Sequence, residues 1–100
     1  MSLNNAGKNE ALNEIKFSLT QSVDLNNCTN WIGSIQLIEG KYFPNSGMSK
    51  YVEWLLTGDL TERIRGPVAE NVSFSNRVDM AKGFLLHYQI QLESELGLKQ

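Results

Sequence analysis

The chain reads as an all-α protein, a small bundle of four to five helices with a long C-terminal member. Three observations predict this class. Apolar residues recur at intervals of three and four along most of the length, and capping residues and glycines punctuate those runs. No stretch alternates cleanly enough to make a strand, and the links between runs are short, which favours antiparallel neighbours.

The first eight residues are polar, Asn-rich and without pattern, so residues 1–8 are expected to form a disordered tail and 9–97 a single helical domain. From Asn9, a candidate cap, Leu12, Ile15, Leu19 and Val23 share one face, while Lys8, Glu10, Asn13 and Lys16 take the wet side. A second run follows in Leu25, Cys28, Ile32 and Ile35, flanked by Trp31 and Ile38. Asp24 is placed to cap it and Gly40 to end it. A strand through Trp31–Ile38 competes for the same residues, but that stretch does not alternate.

Gly40 to Gly47 carries two glycines, a proline and Asn-Ser-Gly, the composition of a loop. Met48 to Thr57 is a third helix with Met48, Tyr51, Val52 and Leu55 inward, stopped by Gly58. Asp59 and Glu62 make a capping box for a short fourth helix over Leu60 and Ile64, ended by Gly66-Pro67. Val68 to Phe74 fits neither period. Asn76, with Asp79 three residues on, is placed to cap the last helix, and Gly97 to close it.

That last helix, from about Ser75 to Leu96, holds more apolar residues than one buried stripe needs. At about 100° per residue, Val78, Ala81, Leu85, Tyr88, Leu92 and Leu96 fall within roughly 80° of arc. Leu86 and Ile90 lie about a third of a turn away beside Gly83, and Met80 and Phe84 on the other flank. A second strip of this kind is the mark of an interface, so the chain is expected to form a homodimer through its C-terminal helix. The expected core is Leu12, Ile15, Leu19, Leu25, Cys28, Ile32, Ile35, Val52, Leu55, Val78, Leu85, Tyr88 and Leu92.

Composition narrows function by exclusion. At 41% apolar and 20% charged, the chain belongs with ordinary globular domains. A net charge of −2 argues against a partner held by phosphate contacts, and no run of apolar residues is long enough to cross a bilayer. The start has no basic segment followed by an apolar run, so Asn27-Cys28-Thr29 and Asn71-Val72-Ser73 read as chance glycosylation patterns in a cytoplasmic protein.

The ingredients of catalysis are sparse. A lone Cys28 excludes an internal disulfide and reads as a small buried apolar residue. The single histidine, His87, falls opposite the Leu85/Tyr88/Leu92 stripe, at the surface. There is no His-Glu-x-x-His, Cys-x-x-Cys or Glu-x-x-His, and the glycines do not form a phosphate loop, so no metal, cofactor or enzymatic activity is expected.

Two binding readings remain. The leading one is a small adaptor or regulator, of the size of inhibitors, immunity proteins and phage- or plasmid-encoded accessory proteins, that acts by binding another protein. Its candidate contacts are Tyr42 and Phe43 in the loop, Trp54 at a stripe margin, and Gly83, Leu86 and Ile90 on the last helix. The alternative is a helix-turn-helix DNA-binding regulator that pairs Met48–Thr57 with Asp59–Arg65 and uses Arg63 and Arg65. A second helix of about two turns, with Glu53, Asp59 and Glu62 around those arginines, weakens it.

Overall fold

Among the described residues four helices form: α1 (Asn5–Thr20), α2 (Cys28–Tyr42), α3 (Met48–Thr57) and α4 (Phe74–Glu95). This computed structural model describes residues 3–58 and 72–98, and no strand occurs among them. The expected short helix Asp59–Arg65 and most of Val68–Phe74 lie outside the described residues.

The principal contacts of α1 are with α2 and α4, and those of α3 are with the same two helices, so the four close a ring with α1 diagonal to α3. Partner residues fix the directions. Trp31 meets Ser18 while Tyr42 meets Glu14, so α1 and α2 run antiparallel. Lys8 pairs with Glu95 at 3.1 Å while Lys82 reaches the carbonyl of Gln21, so α1 and α4 do too.

α1 begins earlier than expected. Asn4, and not Asn9, is the cap; its side chain accepts from the backbone N–H of Gly7 at 2.7 Å, so residues 5–8 of the expected tail form the first helical turn. At the other end, the orphan carbonyl of Gln21 is taken by the Lys82 ammonium of α4, a cation at the negative end of the α1 dipole.

Asp24 was expected to cap α2, and it does its work one turn sooner. Its carboxylate accepts from the N–H groups of Asn26 and Asn27, closing the turn from which α2 departs at Asn27. That turn puts Leu25 outside, 75% exposed, where helical spacing had placed it in the core. Nor does Gly40 end α2, which continues to Tyr42.

α3 matches its expected limits. Its N-cap, Gly47, has φ of +78° and no side chain to offer, so the orphan donors are met from elsewhere. Ser49 N–H donates to the Glu39 carboxylate of α2 at 2.7 Å, and Met48 N–H to the Ser46 hydroxyl. The Ser49 hydrogen bond holds the Glu39 carboxyl below its ordinary value. Tyr51, expected inward, is partly exposed.

α4 starts at Phe74 and is capped by Ser73, whose hydroxyl accepts from Asn76 N–H, in place of the expected Asn76. It closes as expected at Gly97. With φ at +76°, Gly97 donates to the carbonyl of Ser94 and Leu98 to that of Glu93, the paired bonds of a Schellman ending.

The core lies on the shared axis. Leu12, Ile15, Cys28, Ile32, Ile35, Val52, Leu55, Val78, Leu85 and Leu92 are buried as expected, and Leu19 and Tyr88 are partly buried at its edge. Among the described residues, Ala11, Trp31, Ile38, Tyr42, Met48, Leu56 and Ala81 are buried with them.

Candidate protein-contact surfaces

The second strip of α4 stays accessible. Leu86 is 41% exposed and Ile90 is 42%, one turn apart on the same face. Gly83, a turn before Leu86, is exposed, and a methyl group added there would meet no atom within 4 Å. The second strip is therefore left uncovered by the described part of the chain, and His87 is exposed beside it.

Phe84, on the other flank, and Tyr88, at the edge of the buried stripe, are partly buried in a chain of aromatic rings. Phe43, just past α2, meets Tyr88 edge-on at 4.9 Å; Tyr88 meets Phe84 at 5.5 Å; Phe84 meets Tyr51 at 4.6 Å; Tyr51 meets Trp54 at 5.8 Å. These spacings suit offset and edge-to-face pairs, so the rings bind α2, α3 and α4 to one another. Phe43 and Trp54, read from the sequence as interface anchors, are partly buried in this ladder. Trp54 borders an open hollow of about 430 Å³ on α3 with Lys50, Tyr51 and Glu53. Its indole N–H is buried and has no partner among the described residues.

Tyr42 is not a loop residue or an exposed anchor. It is the last residue of α2 and its ring is buried. Its hydroxyl donates to the Glu14 carboxylate, with the Glu10 carboxylate 3.4 Å away, and Lys41 meets Glu14 at 3.5 Å. One phenol proton thus stands between two carboxylates. The hydrogen bond to Glu14, then burial, then the charges of both glutamates push the phenol up to about 12.

A further apolar surface went unseen in the sequence. Phe17 and Leu37 are 66% and 69% exposed and sit along the seam between α1 and α2. The signal was available: each is a large apolar residue on the wet side of its helix, outside the stripes that define the core. Arg63 and Arg65, the candidates for nucleic-acid contact, lie outside the described residues.

Cys28 is buried and unpaired with any other cysteine. Among the described residues no three His, Cys, Asp or Glu side chains gather as a metal would need, and no helix is long and apolar enough to cross a membrane. Comparison with protein-family models, curated proteins and solved structures finds no match to this chain.

Proposed function

We propose that the chain is a small protein-binding module, an adaptor or regulator that acts by contact and carries out no chemistry itself. The observation that carries the reading is the α4 strip: Leu86 and Ile90 remain two-fifths exposed beside Gly83, although the opposite face of the helix already docks it on the bundle. Apolar side chains grouped on one face form the kind of patch that binding surfaces use. The simplest occupant is the same strip of a second copy about a two-fold axis, where Gly83 admits close approach of the helices. Inhibitors, immunity proteins and phage- or plasmid-encoded accessory proteins are built at this size, which is an analogy of scale and does not choose among them.

Sedimentation equilibrium on the native chain and on Leu86→Glu/Ile90→Glu tests the pairing. The double variant is expected to keep its helical circular dichroism and to lose half of the native mass at about 50 µM. A variant that unfolds, or one with the native mass, would remove the strip from the interface.

A further inference from the structure

The seam between α1 and α2 carries a ridge and two hollows on a single face. Phe17 is the ridge. On one side, Phe17 and Leu37 wall a hollow of about 360 Å³; on the other, Phe17, Gln21 and Asn30 wall one of about 250 Å³. Ser18 and Ser34, small residues from the two helices, border both. A surface that presents a knob next to a hole of suitable size is complementary to itself when turned through a two-fold axis, because each knob enters the other's hole.

Charge and size agree with that pairing. Of the described residues lining the two hollows, Glu14 alone is charged, and its carboxylate already receives the Tyr42 hydroxyl and Lys41. Within the hollows themselves, then, each copy brings one carboxylate that already has a cation beside it, and interface centres are depleted in charge. α1 has 16 residues and α2 has 15, so each is roughly 24 Å long, and two neighbouring helices present a face about 20 Å wide. Two such faces bury on the order of 1,000 Å², where specific interfaces begin, which sets the expectation of a concentration-dependent dimer.

We propose that the α1–α2 seam is an isologous contact between two copies of this chain, with Phe17 of each seated in the hollow beside the other's Leu37. α2 stands diagonal to α4 in the bundle, so this contact is separate from the α4 strip and does not depend on it. A chain that uses both surfaces assembles beyond a dimer.

Sedimentation equilibrium from roughly 5 to 500 µM decides it on three chains: native, Phe17→Glu/Leu37→Glu, and Leu86→Glu/Ile90→Glu. The native chain is expected to exceed its 11.3 kDa monomer mass with rising concentration, and the seam variant to fall to a monomer or, where the α4 strips also pair, to no more than a dimer. Phe17→Ser/Leu37→Gln, which removes the ridge without adding charge, must show the same loss of mass. Both seam side chains are exposed in the single chain, so circular dichroism is expected to stay native in each variant. Native mass in either seam variant, or a monomeric native chain across the range, overturns the proposal. Loss of association only in Leu86→Glu/Ile90→Glu also overturns it and leaves the α4 strip as the sole contact.

Discussion

The indole N–H of Trp31 donates to the carbonyl of Ser18 across 3.1 Å inside the core, joining residues thirteen apart in the chain. Ser18 lies in the last turn of α1, where carbonyls lack helical partners; among the described residues its one backbone donor is Gln21 N–H at 3.3 Å. A side chain of α2 therefore satisfies the end of α1. Trp31→Phe keeps an aromatic ring and removes the donor, and is expected to cost about 1–3 kcal/mol in urea unfolding, the range for leaving a buried acceptor under-satisfied. A loss below about 0.5 kcal/mol would mean that water replaces the indole.

Leu85 and Leu25 make a paired test of the packing. Leu85 is fully buried on α4 and Leu25 is three-quarters exposed in the turn before α2. Leu85→Ala is expected to cost about 2–5 kcal/mol, and Leu25→Ala to stay within about 0.5 kcal/mol of the native chain. Equal losses at the two sites would place Leu25 back in the core and contradict the Asp24 turn.

Gly83 separates the stability of one chain from the contact between two. It lies inside α4, exposed, with open space where a methyl group would go. Gly83→Ala is expected to stabilise the monomer by about 0.5–1 kcal/mol, since alanine holds the helix at lower entropic cost. Where two α4 strips approach at Gly83, the added methyl weakens their association. A higher melting temperature measured at low concentration, together with a reduced sedimentation mass, is the expected pattern; an unchanged mass would mean that no helix comes close there.

Tyr42 makes stability fall in alkali. Its phenol has an ordinary value of 10.0 and is pushed up to about 12 in the fold, so the folded state holds its proton more tightly than the unfolded chain does. Its contribution is complete below pH 10.0 and is lost as pH rises toward about 12. Ultraviolet titration of the native chain is expected to show one phenol ionising late, and that step to be missing in Tyr42→Phe. The variant should also lose less stability than the native chain across the same window. A native titration without a late phenol would break the Tyr42–Glu14 hydrogen bond assigned here.

Helical periodicity alone was enough for the fold class, for the limits of α3, and for the inward faces of α1, α2 and α4, because those depend on residues three and four apart that a single helix already brings together. Gly97 was legible for the same local reason, as the residue that accepts positive φ at a helix end. The uncovered α4 strip, too, could be read as a surplus of apolar residues over one stripe. What the sequence could not order was competition among equivalent cappers: Asn4, Asn9, Ser73 and Asn76 each offer a side-chain oxygen, and a small difference in geometry selects among them. Tertiary contact decided the rest. α2 runs past Gly40 and ends with the Tyr42 ring buried and its hydroxyl against Glu14 of α1, a partner 28 residues away. Glu39 meets the start of α3, Trp31 the end of α1 and Lys82 the carbonyl of Gln21, all donors and acceptors paired across helices, which periodicity within one helix does not encode. Phe17 and Leu37 acquire meaning only when α1 and α2 lie side by side, since neither belongs to a stripe and the hollows between them exist in the packed pair alone.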